Sequence, residues 1–154
     1  MGKYGHLIQL LRDQGLATAQ TLHEPDVAPR WWLELAHDSD YVDAILSQTA
    51  DEVVMRRIGL PISQQLVDRA QASVGGTVLA ARLALQRGIA INSAGGSHHA
   101  GIAHGAGYCV FNDVAVAARV LQAMGLAMAM LVIDLDVHQG DGTAEIFRGD
   151  GAVF

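Results

Sequence analysis

The chain has 154 residues, 51% hydrophobic and 17% charged, with 17 glycines; this is the size and balance of one compact α/β domain and excludes a disordered polypeptide. A formal net charge of −6 gives no electrostatic reason to expect nucleic acid or an anionic membrane as partner. One cysteine, Cys109, excludes an intramolecular disulfide and points to a reducing, cytoplasmic setting.

In chain order, "MGKYGHLIQLLRDQG" reads as an amphipathic helix with Leu7, Leu10 and Leu11 on one face. It lacks the apolar stretch of a signal peptide, and His6 stands where a myristoylation motif needs Ser or Thr. The longest apolar run, 123–133, is too short to span a bilayer. "RWWLELAH" and "DYVDAILSQTADEVV" also read as helical. In "RRIGLPIS", Pro61 breaks the pattern and Ser63 is a good N-cap. From Leu66 to Leu85, apolar residues recur at helical spacing until Gly88 ends the run. The Gly75-Gly76 pair inside it lowers helix propensity, which implies close backbone packing.

"GIAINSAGG" is a short apolar run bounded by glycines, the pattern of a strand. After a glycine-rich loop, Asn112 or Asp113 caps "VAVAARVLQAM", which Gly125 closes. Residues 127–134 form the next expected strand, opening as a buried one with Leu131, Val132 and Ile133. "TAEIF" follows as a short helix, and "GAVF" as the start of another strand. Strand, helix, strand is a βαβ unit, so the expected fold class is α/β, an open parallel sheet with flanking helices. Such a sheet must be covered on both faces, and two or three strands give only part of one.

In open parallel sheets, ligands bind at the carboxyl ends of the strands. Two polar clusters fall there, "GGSHHAG" and "DLDVHQGDG". Asp134, Asp136 and His138 alternate, so an extended backbone would put all three on one face. Together with His98, His99 and Asp141 they make a set of imidazoles and carboxylates without thiolate, suited to Zn²⁺, Fe²⁺ or Mn²⁺. A metal that polarises a carbonyl, with an imidazole as base near neutral pH, is the equipment for hydrolysing an amide.

"GGSHHAGIAHGAGYCVFNDVAVA" joined to "LVIDLDVHQGDGTAEIF" resembles the signature of the histone deacetylase family, of the arginase–deacetylase fold. Gln139 is similar to the class IV and bacterial branch. The resemblance implies zinc, with iron as alternative, held by Asp136 and His138 as two of three ligands. It implies that His98 and His99 stand at the attacking water with His99 as general base, and that Asp134 and Asp141 hydrogen-bond them in turn. Gly107 and Tyr108 would line the acyl channel, and backbone oxygens from Asp134 to His138 would hold potassium. The substrate class it implies is an acylated lysine or an acetylated polyamine. "RRIGLPIS" has no counterpart of the loop Asp with which many lysine deacetylases clamp a peptide.

The family's third metal ligand, an Asp, and its carbonyl-polarising Tyr have no match in "GTAEIFRGDGAVF", and the fold's first strand has none before "GKY". Residues 1–154 are therefore expected to be a partial deacetylase domain, inactive alone, and a non-catalytic metal-binding module is the alternative. Gly95, Gly96 and Gly101 do not match the G-x-G-x-x-G spacing of a dinucleotide site. His6, His23 and His37 are read as surface or capping residues, and His104 as lying outside the site. Trp31 and Trp32 are read as core or edge packing, Met124, Met128 and Met130 as core, Cys109 as buried and inert, and Asp150 as a turn residue.

Overall fold

The computed structural model describes residues 2–154. Seven helices are set out in chain order: α1 (Lys3–Asp13), α2 (Arg30–Leu33), α3 (Ser39–Leu46), α4 (Glu52–Ile58), α5 (Gln64–Arg87), α6 (Asp113–Ala123) and α7 (Asp141–Ile146). Their starts follow local chemistry. Asp38, Asp51, Ser63 and Asn112 each accept hydrogen bonds from amides of the helix they cap, satisfying donors that the helix leaves open. Gly88, at φ 91°, ends α5 in a conformation that a side chain would resist. Asn112, not Asp113, is the cap of α6.

Helix α5 packs against α6, and α6 is nearly encased, with Ala115, Val116, Ala117, Ala118, Val120 and Leu121 buried. Phe111, Leu33, Ile45, Ile58 and Val74 complete the centre of the core. Gly75 is where α5 meets the extended segment before α2: a Cβ there would run into the Asp26 carbonyl. The two backbones are tied by Ala28 N–H to Gln71 O at 3.3 Å and by Gln71 Nε2 to Ala28 O at 2.8 Å. Gly75→Ala is expected to lower stability by about 1–3 kcal/mol through overpacking, despite alanine's better helix propensity. An unchanged urea midpoint would show that the approach is not tight.

The sheet departs from expectation. Among the described residues the only parallel pairing is at Met130 and Val153, with Met130 N–H bonded to Ala152 O and Val132 N–H to Phe154 O. The 89–92 segment pairs with nothing as a strand. A strand exists only as a bonded partner of another, and these segments do not pair with each other. Their apolar side chains are correspondingly open: Ile91 is 85% exposed, Leu135 90% and Val137 91%. Leu131 and Ile133, expected in the core, are exposed too, as is Met128. Met130, Val132 and Trp32 pack against the core, whereas Trp31 lies on the surface. Helix α1 buries none of its residues.

His37 is a correction. It is buried, with its Nδ1 2.8 Å from the Gly101 carbonyl and its Nε2 accepting the Asn112 N–H at 2.9 Å. That pattern needs the neutral Nδ1–H tautomer, since a protonated ring has no acceptor for Asn112. The ring also packs on Phe111, centroids 5.5 Å apart.

Candidate active site

His98 and His99 follow two glycines and sit side by side, ring centroids 4.3 Å apart. Each faces a different acid. His98 Nδ1 lies 2.7 Å from Asp134 Oδ2, at the end of the 131–134 segment. His99 Nδ1 lies 2.7 Å from Asp141 Oδ1, the first residue of α7. The His98 imidazole holds the Asp134 carboxyl below the usual carboxylate range, and the His99 imidazole does the same for Asp141. A carboxylate kept ionised only accepts, so each Nδ1 carries the hydrogen of its bond.

Asp134 and Asp136 flank one imidazole, since His98 Nε2 is 3.9 Å from Asp136 Oδ1. The two alternate acids therefore share a side of the chain. The extended run ends there: residues 137 and 138 bend, and Asp136 Oδ1 accepts the His138 N–H at 2.8 Å. That amide is the first cause of the lowered Asp136 carboxyl. His138 Nδ1 comes within 3.1 Å of the same oxygen, and its ring centroid is 6.0 Å from that of His99.

The Asp136–His138 contact bears on metal binding. Two ligand atoms of a tetrahedral ion bound at about 2.0–2.1 Å stand about 3.3 Å apart, and the observed 3.1 Å is close to that edge. One carboxylate and one imidazole are thus spaced as two ligands would be, a spacing that a hydrogen bond between them also gives. Among the described residues no group of three His, Cys, Asp or Glu side chains forms a complete ligand set, and a catalytic metal needs about three.

Glycines allow this crowding. A Cβ on Gly140 would strike Asp134 Oδ2, and one on Gly107 would lie 2.6 Å from His99 Cδ2. Gly107 and Tyr108 both take positive φ, 54° and 67°, and the Tyr108 N–H is held by the Ile58 carbonyl at 2.8 Å. They border a cavity of about 430 Å³ that Arg69, Ser97 and Cys109 also line and the paired histidines do not. Cys109 is buried, and burial pushes its thiol up, away from reactivity. His104 lies 3.9 Å from Glu145. Asp150 is more than a turn residue, accepting from Arg119 at 2.6 Å and from the Ala152 N–H at 2.7 Å.

The model of the histone deacetylase domain matches residues 1–154. The chain belongs to the histone deacetylase family. It is 48% identical over 154 residues to an uncharacterized protein of Picosynechococcus sp., covering all of this chain and 51% of that protein. It is 32% identical over 149 residues to histone deacetylase 1 of Homo sapiens, covering 90% of this chain and 30% of that one. The crystal structure of a histone deacetylase homologue from Aquifex aeolicus superimposes with a TM-score of 0.82 at 28% identity, covering 96% of this chain and 42% of that one. The chain thus spans about half, or less, of the curated relatives it matches, and it shares the fold of this histone deacetylase homologue over nearly all its own length.

His37 is a structurally important residue that sequence reasoning misplaced. It joins the Gly101 end of the histidine loop to the start of α6. No local pattern marks it, because only its burial distinguishes it from a capping histidine.

Proposed function

We propose that this chain supplies the water-activating part of a zinc-dependent deacylase acting on an acylated lysine or an acetylated polyamine. The observation that carries the reading is the pair of imidazole–carboxylate hydrogen bonds set beside the Asp136–His138 edge. Asp136 and His138 would hold the metal, zinc in preference to iron, which supplies carbonyl polarisation and a more acidic water when bound. His99 takes the water's proton at Nε2, and Asp141 fixes the ring and stabilises the imidazolium that results. His98, held by Asp134, stabilises charge at the same place. Gly107 and Tyr108 line the approach of the acyl chain. Backbone oxygens from Asp134 to His138 would hold potassium, and the single buried cysteine supports a cytoplasmic setting. No helix among the described residues is long and apolar enough to cross a membrane.

The test is metal uptake by equilibrium dialysis against Zn²⁺ or Co²⁺, with hydrolysis of an acetyl-lysine peptide measured on the intact gene product. Asp136→Ala is expected to abolish uptake, and unchanged metal content would remove Asp136 from the ligand set. A second reading is a non-catalytic metal-binding module of the same fold, resting on the Asp136–His138 pair without a third ligand among the described residues. Metal uptake without hydrolysis would select it.

A further inference from the structure

We propose that Asn112 and Asp113, adjacent at the start of α6, are positioning residues that fix the His98–His99 pair by gripping the backbone on both sides of it. The role in a reaction rests on the function proposed above; the grip itself is geometric. Both side chains are 0% exposed. The Asp113 carboxylate accepts the Ser97 N–H at 2.7 Å, the Gly96 N–H at 3.1 Å to each oxygen, and the Thr77 hydroxyl at 2.5 Å. Asn112 Nδ2 donates to the Ala100 carbonyl at 3.0 Å and to Thr143 Oγ1 at 2.9 Å. Residues 96–97 are thus held by one side chain and residue 100 by its neighbour, with the two histidines between them.

A carboxylate in the first turn of a helix is ordinarily explained by the helix dipole. Asp113 does not follow that account, because its bonds run to the 96–97 backbone and Thr77 instead of to α6's own amides. Asn112 already caps the helix, taking the Ala115 N–H at 3.0 Å. Burying a charge only to start a helix that is already capped would be a net cost. What the carboxylate achieves is order in a stretch that begins with two glycines, one at φ 94°, where the backbone is otherwise freest. Thr77 extends the brace to α5 and also accepts from Asn92 Nδ2 at 2.8 Å. The imidazoles then meet their acids with the narrow tolerance that proton transfer requires.

The experiment is NMR of the ¹⁵N-labelled 154-residue chain, comparing wild type with Asp113→Asn. The asparagine keeps the shape and loses the acceptor-only carboxylate. Amide exchange at Gly96 and Ser97 is expected to accelerate on the order of tenfold or more, the loss of a hydrogen bond to a charged group. The Nδ1–H signals of His98 and His99 should broaden or vanish, while amides in the middle of α5 and α6 stay protected. Wild-type exchange at Gly96 and Ser97 with unchanged Nδ1–H signals would overturn the proposal. Should Asp113→Asn fail to fold, Thr77→Val removes the hydroxyl's bonds to Asp113 and Asn92 while leaving the carboxylate, and Thr77→Ser restores them. Faster exchange in the valine variant with recovery in the serine variant supports the brace, and no difference among the three overturns it. An intact gene product that takes up no metal would remove the proposed function and leave this result standing.

Discussion

If the proposed function holds, replacing His99 by alanine in the intact gene product is expected to slow hydrolysis of an acetyl-lysine peptide by about two to four orders of magnitude, the range a positioned general base supplies. His99 is singled out from its neighbour by what holds it. Its Nδ1 is bonded to Asp141, which is anchored as the first residue of α7, while the ring faces His138. His98 instead has Asp136 3.9 Å from its Nε2, so its free nitrogen already confronts a carboxylate. Asp141→Asn should also slow the reaction, because an amide can satisfy either ring tautomer and no longer enforces the Nδ1–H form. Metal content should stay at the wild-type level in both variants, since neither residue is placed as a ligand. A His99→Ala rate near wild type would assign the base elsewhere, and His98→Ala would then be the next variant to measure.

Acidification below neutrality is expected to weaken the fold through His37. Burial lowers its pKa from 6.5 to about 4. Above pH 6.5 the ring is neutral in both folded and unfolded chains, and its contribution is fully present. As pH falls from 6.5 toward 4, the unfolded chain takes up a proton that the folded ring refuses, so stability declines through that window. The full effect is about 3 kcal/mol, as an order of magnitude. His104, whose pKa burial also lowers, adds loss of the same sign. Urea unfolding at pH 7 and pH 4.5, on wild type and His37→Gln, checks this: the variant should be less stable at pH 7 and show a shallower decline. Equal declines in the two proteins would place the acid sensitivity outside His37.

What the sequence disclosed divides by the range of the interaction. Ser63, Asn112 and Gly88 announce helix ends because caps act within three or four residues of themselves. The Gly75 approach was legible because two glycines in a helix need a reason, and the Asp26 carbonyl provides it. Family resemblance named His98 with Asp134 and His99 with Asp141, pairs 36 and 42 residues apart that no periodicity could have matched. The sheet was not legible in this way. Alternation and apolarity describe a strand's faces but not its neighbours, and the 89–92 segment has none among the described residues. His37 was misread for the converse reason: a lone histidine reads as a surface or capping residue, and its burial depends on Phe111 and Gly101, far along the chain.

The alternation of residues 131–136 makes this stretch intolerant of a particular kind of genetic error. Asp134 and Asp136 flank the same imidazole only because one residue separates them. Inserting or deleting a single residue just before Asp134 would turn the chain over, presenting Leu135 to His98 and sending both carboxylates to the opposite side. A substitution at any one of these positions removes one group, whereas a one-residue slip removes all of them together. Across such a stretch, length is under tighter constraint than the identity of the apolar residues between the acids, and Leu135 and Val137 can vary in shape so long as they continue to occupy a place.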